Sequence, residues 1–107
     1  MTKKAKIPTD AASCILYYYF KSIGGMSRFA EISGYTKQNI FNWRRLGKIP
    51  ILKAVKLAET LNIDPYILNY RDYGMVVGKY PNWRKFVVSL GFPKSITEDI
   101  LRLEPPV

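Results

Sequence analysis

The stretch Met26-Ser-Arg-Phe-Ala-Glu-Ile-Ser-Gly-Tyr-Thr-Lys-Gln-Asn-Ile-Phe-Asn-Trp-Arg-Arg45 decides the fold. It reads as a helix over about Ser27 to Ser33, a corner at Gly34, and a second helix from Lys37 to Leu46 that Thr36 caps and Gly47 stops. Two helices joined this tightly cross at a steep angle only if a small residue sits at the crossing and apolar side chains fill the wedge. Ala30 is the small residue; Phe29, Tyr35, Ile40 and Trp43 are the wedge, and Ile32 is expected to join them in place of the polar Ser33. At about 100° per residue, Ile40, Trp43 and Leu46 fall on one side of the second helix. Lys37, Gln38, Phe41, Asn42 and Arg45 fall on the other. That outer set carries base-reading chemistry. Gln and Asn pair bidentately with adenine edges, Lys and Arg with guanine, and a phenyl ring covers a thymine methyl, all in a major groove that admits a helix. Phe41 has the alternative of packing on the preceding helix or on a neighbouring subunit.

Outward from this pair, every long segment is helical. Asp10 caps a helix over Ala11 to Ile23, with Ala12, Ile15, Leu16, Tyr19 and Ile23 at helical spacing. After Pro50, the steps through Ile51, Ala54, Leu57, Ala58 and Leu61 mark a fourth helix. Asp64-Pro65 is an N-cap followed by proline in the first helical position, and Ile63 can staple to Leu68, giving a short fifth helix. Between Gly74 and Gly78, Met75, Val76 and Val77 read as a short strand or a packed loop. Asn82 opens a helix with Trp83, Phe86, Val87 and Leu90 on one face, and Gly91 followed by Phe92 resembles a Schellman stop in which Phe92 packs back on Val87. Ser95-Ile-Thr-Glu98 has the capping-box pattern for a last helix with Ile96, Ile100 and Leu103 inward. The expectation is an all-α chain: a basic arm over residues 1–10, a five-helix domain over 11–70, and one or two further helices over 71–107.

Charge narrows the function. The 107 residues hold 17 Lys and Arg against 8 Asp and Glu, a formal charge of +9, with a pI of about 9.8. Nine of those cations against Asp10 and Glu31 lie in residues 1–50, so the first half carries +7 of the total. Such a field favours polyanions, and 48% hydrophobic residues mean that it sits on a folded protein. Histidine is absent, which removes the commonest general base and the commonest metal ligand. The single cysteine, Cys14, excludes an intramolecular disulfide and reads as a small buried hydrophobe. Glu98, Asp99 and Glu104 have no nucleophile near them in sequence and read as a solvated helix end. The chain is therefore expected to be no enzyme, to need no cofactor or metal, to be cytoplasmic, and to have no membrane partner, its longest apolar run being Ile15 to Phe20.

The segment from Met26 to Arg45 resembles the helix-turn-helix of the Cro and phage-repressor superfamily, the XRE-like regulators, in which a Gly follows a small helix residue by four positions, as Gly34 follows Ala30. Ile23-Gly-Gly-Met-Ser-Arg-Phe-Ala30 and Ile40-Phe-Asn-Trp-Arg-Arg-Leu-Gly-Lys-Ile-Pro50 are similar to the small Cro/YdaS-type regulators. The resemblance covers Ile15 to Leu68 and departs at Ser33, where the family has an apolar residue. It implies a lambda-repressor-like fold and a transcriptional regulator, a Cro-like phage or prophage repressor, that binds double-stranded operator DNA as a homodimer. The bases would be read from Lys37, Gln38, Phe41, Asn42 and Arg45.

Phosphate grip is expected from Ser27, Arg28, Thr36, Arg44 and Lys48, with Lys3, Lys4 and Lys6 in the basic arm. The alternative function is a DNA-binding antitoxin or adaptor whose carboxy-terminal half holds a protein partner. The two last helices either complete the core or form the twofold contact; if they only cap the core, the dimer contact falls to Tyr66–Tyr73. Tyr17, Tyr18, Tyr19 and Phe20 point almost all the way round their helix, so one or two of them are left for another surface.

Overall fold

In the computed structural model, residues 10–106 are described and form eight helices with no strand. They are α1 (Ala11–Ser22), α2 (Met26–Ser33), α3 (Lys37–Leu46), α4 (Ile51–Leu61), α5 (Pro65–Leu68), α6 (Tyr70–Val77), α7 (Trp83–Ser89) and α8 (Lys94–Arg102). The all-α expectation holds, with one helix more than anticipated. The basic arm, with Lys3, Lys4 and Lys6, lies outside the described residues.

Local chemistry explains most of the boundaries. The carboxylate of Asp10 accepts the Ser13 N–H at 3.0 Å and the Thr36 hydroxyl accepts that of Asn39 at 3.2 Å, so α1 and α3 start where their caps stand. Asp64 and Asn82 do the same for α5 and α7. Gly34 and Gly47 end α2 and α3 in the left-handed region, at φ 79° and 80°. Any other residue would be strained there.

The centre of the molecule is α1, which separates two apolar clusters. On one side, Leu16 and Phe20 pack with Phe29 of α2, Ile40 and Trp43 of α3, Ala54, Leu57 and Ala58 of α4, Leu68 of α5, and Ile49. On the other, Cys14, Ile15 and Tyr18 pack with Tyr70 of α6, Phe86 and Val87 of α7, and Ile100 of α8. This accounts for the run of four aromatics. Phe20 enters the first cluster and Tyr18 the second, while Tyr17 and Tyr19 are half-buried at their edges. The second surface that these rings require is internal. Phe86 and Val87 of α7 and Ile100 of α8 thus help to complete the core.

Four expectations need correction. Met75, Val76 and Val77 belong to α6, neither strand nor loop. Asn69 starts that helix by accepting the Asp72 N–H at 3.1 Å, and Gly74 lets the ring of Tyr80 cross it where a methyl group would collide. The two valines lie on its open side, where β-branching costs little. Leu46 is 62% exposed, because the last turn of α3 runs past the core. The buried position goes to Ile49, whose N–H donates to the Leu68 carbonyl at 3.0 Å. Ile32 lies at the surface too; Ser33 closes the turn by accepting the Tyr35 N–H on its hydroxyl at 3.2 Å, so no apolar replacement is required. Finally, α8 starts at Lys94 with Pro93 as its cap and uses no capping box. Pro93 sets φ to −51°, and the Thr97 hydroxyl bonds back to the Phe92 carbonyl.

Candidate nucleic-acid interface

The second helix of the α2–α3 pair is anchored from behind. Ile40 and Trp43 are buried, and the Tyr35 ring meets the Trp43 indole edge-on at 5.0 Å. With those two fixed, the opposite face of α3 has no freedom to turn inward. Lys37, Gln38 and Arg45 stand exposed on it, Phe41 is 42% exposed, and Asn42 is half-buried beside them. The five residues singled out for base contact therefore share one face of one helix. That helix contains no acidic residue and has Arg44 and Arg45 in its last turn.

Within this face, the Gln38 amide donates to the Asn42 carbonyl oxygen at 3.3 Å, the two side chains lying one turn apart. The bond holds both amides side by side with hydrogen-bonding capacity to spare. The Arg44 guanidinium lies over two rings at once, 5.3 Å from the centre of Phe41 and 5.3 Å from that of Tyr17 on α1.

The expected phosphate-gripping residues are more dispersed. Ser27 and Arg28 are exposed in the first turn of α2, where Arg28 pairs with Glu31 at 3.0 Å. Lys48, just past Gly47, pairs with Asp72 of α6 at 2.9 Å. Both are surface pairs worth about 0–1 kcal/mol, so a phosphate can compete for either cation. The Lys48 ammonium, bonded to Asp72, holds that carboxyl below its ordinary value of 3.8, with help from the Asn69 amide.

Three side chains matter here that the sequence reading passed over. Asn69 is fully buried and donates to the Ile49 carbonyl at 2.8 Å while it caps α6, so the loop leaving α3 is tied at both faces of Ile49. Asp72 steers Lys48. Tyr17 braces Arg44. Asn69 with Asp72 three residues on carries the spacing of a cap, a signal present in the sequence; nothing local marks Tyr17.

No helix among the described residues is long and apolar enough to cross a membrane. Protein-family models, curated proteins and solved structures offer no match to the chain.

Proposed function

We propose that the protein is a sequence-specific double-stranded DNA-binding regulator that inserts α3 into the major groove, with no catalytic role. The observation that carries the reading is the outward face of α3. Lys37, Gln38, Phe41, Asn42 and Arg45 stand together on a helix whose other side is locked by Ile40 and Trp43. Lys and Arg suit guanine, the two amides suit adenine, and Phe41 suits a thymine methyl. Ser27, Arg28, Thr36, Arg44 and Lys48 supply phosphate contacts around it. The regulator acts as a Cro-like repressor, occupying an operator as a homodimer and excluding polymerase.

The buried faces of α7 and α8 in the second cluster favour a twofold contact on the α5–α6 side. There Met75, Val76 and Val77 are 64%, 72% and 47% exposed, an apolar run that favours burial by another chain. The same run supports the second reading, an antitoxin or adaptor that docks a different protein there.

The test is substitution on the reading face. Gln38→Ala and Asn42→Ala should each lose about 1–3 kcal/mol on one preferred duplex and little on random DNA. Lys48→Ala should weaken every duplex alike. Equal losses on preferred and random duplexes for Gln38→Ala would remove the base-reading assignment. Sedimentation separates the two uses of α6: a homodimer that Val76→Asp splits supports the repressor, and a monomer supports the adaptor.

A further inference from the structure

Arg44 stands apart from the other cations around α3. Arg28 and Lys48 are each bonded to a carboxylate and Lys53 lies over one ring, Tyr35, whereas among the described residues Arg44 has no acidic partner and lies over two rings from different helices. Both rings are within the roughly 6 Å range of a cation–π contact. Phe41 lies three residues away on the same helix, so its contact is local. Tyr17 belongs to α1, and its contact exists only because the fold lays α1 against α3.

The Tyr17 ring is itself fixed. It meets Tyr18 edge-on at 5.1 Å, and Tyr18 is buried with its ring 6.1 Å from Phe92. A line of rings thus runs from the segment after α7, through α1, to the outer face of α3. Tyr17 and Arg44 also line one shallow cleft, together with Lys21 of α1 and Met26 at the start of α2.

We propose that Tyr17 is a positioning residue for DNA, acting through Arg44; the proposal rests on the reading of α3 as the DNA-facing helix. A guanidinium held by ring faces and bonded to no protein acceptor keeps its N–H donors for phosphate oxygens. A solvated arginine gives up its rotamer freedom when it grips a phosphate, and one already held over two rings has given up part of it before DNA arrives. The same guanidinium keeps the Phe41 ring in place on the base-reading face.

The test is a double-mutant cycle on the full chain, read as binding to a preferred and a random duplex at several salt concentrations. Arg44→Ala should weaken both duplexes and lower the salt slope by about one. Tyr17→Leu should weaken both by about threefold to tenfold, yet cost nothing further in the Arg44→Ala background. Tyr17→Phe, which keeps the ring, should stay within about twofold of the wild type. A Tyr17→Leu loss of equal size in both backgrounds, or no loss at all, overturns the proposal. Tyr17→Met replaces Tyr17→Leu in the cycle if the leucine variant melts early. A wild-type chain that binds no duplex defeats the reading of α3 and this proposal with it; a chain that binds DNA but gives an additive cycle defeats the role of Tyr17 alone.

Discussion

Removal of residues 70–107 leaves the whole α2–α3 pair in place and should nevertheless unfold the protein. The deletion takes Tyr70, Phe86, Val87 and Ile100 from the second cluster, all of them buried. At about 1.5–3 kcal/mol for each large apolar side chain, the lost burial is about 6–12 kcal/mol. A domain of this size has about 5–15 kcal/mol of stability in total. The deletion also exposes Cys14, Ile15 and Tyr18 along one flank of α1, the helix on which α3 rests. Thermal and urea unfolding followed by circular dichroism should show a cooperative transition for the full chain and none for residues 1–69. Ile100→Ala in the full chain provides a graded version, with an expected loss of about 2–5 kcal/mol and a Tm lower by about 10–30 °C. A truncated chain that melts cooperatively within a few degrees of the full one would refute the shared-core argument. It would also make residues 71–107 a separate extension.

Other perturbations reach different parts of the molecule. Asn69→Ala removes the cap of α6, worth about 1 kcal/mol, and orphans the buried Ile49 carbonyl at about 1–3 kcal/mol. Its Tm should fall by about 10–25 °C, and a shift under about 4 °C would mean that the Ile49 tether is dispensable. Burial pushes the Cys14 thiol from 9.0 up to about 11, so a thiol reagent at pH 8 should label it only when the protein unfolds; rapid labelling of the native chain contradicts the burial. Because that pKa is raised, the stability it contributes is complete below pH 9.0 and is lost as pH rises through about 11. Asp72 works in the opposite direction: its lowered pKa gives stability that is present above pH 3.8 and is lost as pH falls below it. Asp72→Asn should flatten that acid limb, and an unchanged limb would mean that the Lys48 pair adds nothing to stability.

How much could be read from the sequence depended on the range of the interaction. The caps at Asp10, Thr36, Asp64 and Asn82, and the left-handed stops at Gly34 and Gly47, are local signals, and the helices they bound lie where expected to within a residue or two. The outward set on α3 was legible for the same reason, since periodicity alone separates it from Ile40 and Trp43. Apart from the Asn69 cap of α6, a local signal, what escaped was tertiary. The two valines of α6 favour a strand by propensity, but Asn69 caps a helix there, and Gly74 leaves room for Tyr80 to pack across it. Leu46 satisfied the helical period and still faces water, because nothing in the period tells how far the core reaches along α3. Lys48 and Asp72 are 24 positions apart, and Tyr17 and Arg44 meet only where α1 lies against α3. The four aromatics of α1 made sense only once a second apolar cluster was seen on its far side.

Selection from random duplexes at about physiological salt asks whether the outer face of α3 reads DNA sequence, because non-specific phosphate binding is suppressed there. One motif should be enriched, an inverted repeat with half-sites about 10 base pairs apart for a dimer, at which Gln38→Ala relaxes one base position. Selection that enriches nothing, with binding that disappears as salt rises or that RNA competes for as well as duplex DNA does, would contradict it.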